Sequence, residues 1–145
     1  MPSDNDTRRE EAERLVRAAN TRFYRAFESL QVEQIDEGWS HDDSVRCIHP
    51  GWQCLRGWTA VRKSWEELFR NTRYMEFNVT DVDVWVDVSI AAVFCHENIV
   101  TFREGKVVRT VMLATNLFGN FDNRWLMILH HGSPVLGPVE ESSGG

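Results

Sequence analysis

At residue 75 the hydrophobic pattern of this chain changes period, and that change constrains the fold more than any other feature. Up to that point apolar residues recur every three or four positions. In the stretch Thr7 to Leu30, Leu15, Val16, Ala19, Phe23 and Phe27 mark one face of a long amphipathic helix, with Asp6 or Thr7 as its cap. "VEQIDEGW" predicts a short second helix and "GWTAVRKSWEELFRNT" a third, with Val61, Trp65, Leu68 and Phe69 as its stripe. Between them "SVRCIH" reads as a short strand stopped by Pro50 and Gly51. From Met75 onward four long segments alternate with period two: "MEFNVTDVDVWVDVS", "IAAVFCHENIVTF", "VVRTVMLATNLFGNF" and "RWLMILHHGS". The alternation slips near Asp81, and "REGK" and "DN" read as hairpin turns. Helices gathered ahead of an antiparallel meander predict an α+β fold.

Both parities of the middle strands carry apolar residues: Val93, Cys95 and Ile99 alternate with Phe94, Val100 and Phe102. A sheet with one wet face would keep one parity polar. Both faces are therefore expected to be covered, one by the helices and the other by a second copy of the chain. The length of 145 residues suits a single domain over 1–145, with a core at about 8–134 and loose tails at 1–6 and 135–145. A net charge of -6 without a Lys/Arg-rich face argues against nucleic acid or an anionic membrane as partner. No apolar run approaches a membrane span, and the polar N-terminus shows no secretory signal. Cys47, Cys54 and Cys95 are odd in number and lack C-x-x-C spacing, so reduced thiols and a cytoplasmic location are expected.

Three separated stretches resemble the nuclear transport factor 2-like, or SnoaL-like, superfamily of cystatin-like cones. They are "FYRAFESLQVEQIDEGWSHDDSVRCIHPGW", "LRGWTAVRKSW", and the closing stretch in which Trp125 is followed by His130, His131 and Ser133. The ending is also similar to the association domain of the calcium/calmodulin-dependent kinase. The resemblance implies a curved, mixed, mainly antiparallel sheet wrapped around the N-terminal helices, with an apolar pocket between them. It implies a homodimer through the outer sheet face. The superfamily includes ketosteroid isomerases, cyclases, dehydratases and plain oligomerisation domains, so fold does not choose the activity.

The candidate chemistry follows from residue type and place. His49, at the end of the first strand, is the candidate general acid/base, or else a structural histidine locking the "HPGW" turn. His96 and Asn116 interrupt adjacent apolar strands and could polarise a carbonyl oxygen, pair with each other, or bridge an interface. Trp52 and Trp65 could wall a small hydrophobic ligand, although core packing explains Trp65 as well. His130 and His131 must point to opposite faces of their strand. Strict alternation groups His131 with Trp125, Met127 and Leu129 and makes it the ligand-facing candidate; the sequence leaves open which of the two looks inward. No ligand spacing for a metal, phosphate loop or dinucleotide fingerprint is present, so no metal or cofactor is expected. No acidic residue can be assigned as a catalytic base. A small hydrophobic ligand, with proton-transfer chemistry on a carbonyl compound or simple binding, is the expected use of the pocket.

Overall fold

The computed structural model of the protein describes residues 3–136. Helix α1 spans Asp4–Ser29, α2 Val32–Gly38 and α3 Trp58–Arg70; the strands are β1 Arg46–Ile48, β2 Leu55–Arg56, β3 Met75–Val86, β4 Ile90–Arg103, β5 Lys106–Phe121 and β6 Arg124–Pro134. The first helix begins earlier than its periodicity predicts. Its cap is Ser3, whose hydroxyl oxygen accepts from the Asp6 amide at 3.1 Å, so 4–6 belong to the helix and not to a tail. The helix ends where Leu30 turns left-handed at φ 57°. The short β2, which lacks any periodic signal, is the one element the sequence does not reveal. The expected loose tail falls largely on residues 137–145, outside the described residues.

The strands form one sheet in the order β2-β1-β6-β5-β4-β3, antiparallel except for the parallel β1–β6 pair. It is a curved α+β sheet that does not close, with β2 and β3 as its edges. Both two-residue hairpin turns place two residues at positive φ, Glu104–Gly105 and Asp122–Asn123, which matches the right-handed twist of the strands. That fixes the β4–β5 register along its whole length and starts the β5–β6 register at Phe121–Arg124.

Two irregularities then decide which residues look inward. In β3 the register shifts between Thr80 and Asp83, with Asp81 left-handed at φ 54°. Val79 and Val82 consequently both pack against the core. In β6 the pairing skips Ile128, since Leu117 faces Leu129 while Phe118 faces Met127. This bulge reverses the parity that runs through Trp125 and Met127. His130, not His131, is therefore the inward histidine: His130 is buried and His131 exposed.

The interior is filled by an aromatic cluster from α1 and α3. Trp65 is fully buried and meets Phe23, Phe27, Phe69 and Trp39 at ring-centroid distances of 4.7 to 6.4 Å. Burying each such ring contributes roughly 2–3 kcal/mol, which is what holds the helices on the sheet. The opposite sheet face stays open in the single chain. There Trp85 is 54% exposed, Leu113 46% and Phe94 42%.

Candidate functional site

The inner face of β4, β5 and β6 carries a line of polar side chains through an otherwise apolar core. Glu97, Asn116 and His130 are all buried, and Asn20 and Tyr24 reach them from α1. Register explains the alignment. Asn116 stands opposite Val93 on β4 and opposite His130 on β6, and Glu97 lies on the same β4 face two positions beyond Cys95.

The hydrogen bonds run in one direction. Asn116 Nδ2 donates to Asn20 Oδ1 at 2.9 Å and to Tyr24 Oη at 3.1 Å. Its Oδ1 must then accept, so His130 carries its proton on Nδ1 and donates at 2.6 Å. The Tyr24 hydroxyl in turn donates to Glu97 Oε2 at 2.6 Å. The chain thus reads His130 to Asn116 to Tyr24 to Glu97. Burial pushes the Glu97 carboxyl up to about 7, although the Tyr24 hydrogen bond favours its ionised form. Burial, then the nearby Glu97, pushes the Tyr24 phenol far above its usual range. Burial lowers His130 to about 3, with His49 and His131 adding to the effect, so its ring is neutral.

His49 belongs to a second, adjacent group. Ser64 Oγ donates to the Val61 carbonyl at 2.6 Å, so its oxygen accepts from His49 Nε2 at 2.8 Å. Cys47 Sγ lies 3.6 Å from the same nitrogen. Burial lowers His49 to about 4. Its ring ties the end of β1 to α3, while the "HPGW" turn is closed by the Trp52 amide donating to the His49 carbonyl at 2.8 Å. Ser64→Ala would leave a buried imidazole N–H unpaired. It is expected to lower the unfolding free energy by about 2 kcal/mol, measured by urea denaturation.

A cavity of about 420 Å³ opens between α1 and β3. Arg17, Asn20, Thr21, Tyr24, Arg25 and Glu28 line it from the helix, and Phe77, Val79 and Val82 from the strand. Asn20 and Tyr24 are therefore shared: each faces the cavity and also bonds into the buried chain.

The sequence candidates are thus divided. Asn116 is at the centre of the buried chain. His96 is not with it. Its side chain points to the outer sheet face, where Nδ1 lies 2.9 Å from Asp81 Oδ2, because Glu97 takes the inward position beside it. His49, His96 and Asn116 do not share one cavity. Trp65 is a core residue beside both buried histidines. Trp52 lies in the loop, edge-on to His49 at 4.9 Å and 41% exposed. His131 lies on the outer face. Tyr24 and Glu97 were missed as a pair. The signal available was a lone acid at an inward position of an apolar strand, legible only once Cys95 and Glu97 are assigned to the same face. Asp42 serves a turn: its carboxylate accepts from the Ser44 hydroxyl and amide and from Ser40, which holds it below the usual range.

This architecture agrees with sequence comparison, in which the SnoaL-like domain family matches residues 16–137. The chain belongs to the SnoaL-like family. Among solved structures, this SnoaL-like chain is similar to a Streptomyces avermitilis protein of the NTF2-like family, a proposed dehydratase. Identity is 34%, the TM-score 0.81, and the match covers 88% of this chain and 99% of that one. It is also similar to a Thiobacillus denitrificans protein proposed as a calcium/calmodulin-dependent protein kinase type II association domain, at 31% identity and a TM-score of 0.75, over 82% and 94% of the two chains. Among curated proteins it is 26% identical over 123 residues to the Arabidopsis thaliana F-box protein SKIP8, covering 85% of this chain. The chain spans about half the length of that relative, 51%. Among the described residues, no helix of this SnoaL-like chain is long and apolar enough to cross a membrane.

Proposed function

We propose that the cavity between α1 and β3 binds a small hydrophobic carbonyl compound and that Tyr24 and Glu97 carry out proton transfer on it, in the manner of an isomerase, dehydratase or cyclase. One observation carries this reading: Tyr24 lines the cavity while its hydroxyl donates at 2.6 Å to a buried carboxylate poised near pH 7. A group with that affinity for protons is matched to acid/base work at neutral pH. A substrate proton passes to Tyr24 Oη as the phenol proton passes to the Glu97 carboxylate; the reverse sequence returns it. Asn116, donating to the same phenol oxygen, steadies charge that develops there. The proposed dehydratase among the relatives supports this class of reaction. His49, the acid/base candidate from sequence, has no place in the relay, because its ring is committed to Ser64.

The test needs no known substrate. Ketones identified by thermal shift are incubated with the protein in heavy water, and α-proton exchange is followed by NMR. Catalysed exchange that falls about 100-fold or more in Glu97→Gln and in Tyr24→Phe is the expected result. Exchange that is unchanged in both variants removes the catalytic reading and leaves binding alone.

A homodimer through the outer sheet face is the partner we infer. Trp85, Phe94 and Leu113 leave exposed apolar side chains on the outer face of β3, β4 and β5, the kind of surface that a partner covers. The similarity to a proposed association domain supports self-assembly. Phe94→Glu is expected to convert a dimer into a monomer in light scattering, whereas a monomeric parent chain at micromolar concentration refutes the dimer. A reducing, cytoplasmic setting fits the three free cysteines.

A further inference from the structure

Given the cavity reading above, on which this inference rests, we propose that the ligand is an anion: a keto acid with an apolar substituent, its carboxylate held at Arg25. The two walls of the cavity differ in kind. Phe77, Val79 and Val82 present an apolar surface, Val82 being available only because the bulge at Asp81 turns it inward. The α1 wall is polar and carries two arginines. Arg17 is already occupied, bonded to Glu13 at 3.0 Å. Arg25 forms no ion pair among the described residues. The one acid on the cavity wall, Glu28, is turned toward the strand, where it accepts from the Phe77 amide at 2.9 Å.

Arg25 is thus a cation at the cavity mouth whose nearest wall acid is engaged elsewhere. Binding an apolar molecule there would shield the guanidinium from water without giving it a partner, whereas a carboxylate supplies a bidentate one. Arg25 also follows Tyr24 directly in the helix. A ligand whose α-carbon meets the Tyr24 hydroxyl oxygen therefore places a carboxylate a few bonds away within reach of Arg25, with its apolar end against Phe77 and Val82. A volume of about 420 Å³ admits a molecule of that size.

The probes are 4-oxo-4-phenylbutanoate and its uncharged isostere 4-oxo-4-phenylbutanamide, titrated by calorimetry into the whole protein. The acid is expected to bind at least tenfold more tightly, with a preference that shrinks as salt rises. Arg25→Gln should bring the acid to the affinity of the amide and leave the amide unchanged. Equal binding of both compounds by the parent, each lost in Thr21→Trp at the mouth of the cavity, overturns the anion inference and spares the cavity. A preference for the acid that survives in Arg25→Gln overturns the role of Arg25. Failure of both compounds to bind, or binding that Thr21→Trp does not weaken, overturns the cavity reading as well.

Discussion

Replacing Asn116 with leucine is expected to lower the unfolding free energy by about 4 kcal/mol. Leucine keeps the same branched shape and number of heavy atoms, so most of the cost is one of unmade bonds. His130 Nδ1–H loses its acceptor, Asn20 Oδ1 loses a donor, and Tyr24 Oη loses the amide that supports it. Each group is buried, and each buried group left unpaired costs about 1–3 kcal/mol. The comparison is Asn98→Leu on the outer face of β4. Asn98 bonds the Asn78 carbonyl and Thr80 Oγ1 but is reached by water, which can replace it. That change should cost less than 1 kcal/mol. Urea denaturation of both variants decides the matter: similar losses would mean that the inner network is not closed.

The two asparagines also show what the sequence could and could not tell. Both interrupt apolar strands, and neither carries a mark of its face. The elements themselves are legible because helix and strand periods are set by geometry that each residue feels locally. The faces depend on register, and register depends on single-residue events. The slip near Asp81 is readable, since two alternating sets of residues collide there. The skip at Ile128 is not. "WLMILHH" is apolar on both parities, so an extra residue leaves no trace in the pattern, and His131 falls where His130 belongs. His96 stands apart from the buried chain for a related reason. Alternation correctly separates it from Glu97, but residue type favours the histidine as the chemical group. Burial reverses that preference, because a carboxyl raised to about 7 has the proton affinity that an ordinary histidine has in water. The pocket was expected between helices and sheet, but its lining was not legible, since Val82 joins Phe77 and Val79 on that wall only through the register shift between Thr80 and Asp83.

Stability should rise with pH between about 4.5 and 6.5, and Glu97→Gln should make that rise roughly twice as steep. In this window His49 and His130 are neutral in the folded protein, held at about 4 and 3, but charged once unfolding returns them to about 6.5. Unfolding therefore takes up two protons, which favours the folded state more as pH increases. Glu97 opposes them. It is protonated when folded, at about 7, and ionised when unfolded, at about 4.5, so it releases one proton on unfolding. The net uptake is one proton, a slope on the order of 1 kcal/mol per pH unit. Above 6.5 the histidine contribution is complete, and Glu97 alone makes the curve turn slightly downward until it ionises near 7. Glutamine keeps a side chain that can accept from Tyr24 but cannot titrate, so both histidine protons then act unopposed and the downward turn disappears. Urea denaturation of the two proteins at half-unit steps from pH 4.5 to 8 reads the slopes directly. Parallel curves would show that Glu97 is ionised throughout. Glu97 would then be too weak a base to draw the Tyr24 proton at neutral pH, whereas a doubled slope would establish a carboxylate with the proton affinity that the relay through Tyr24 uses.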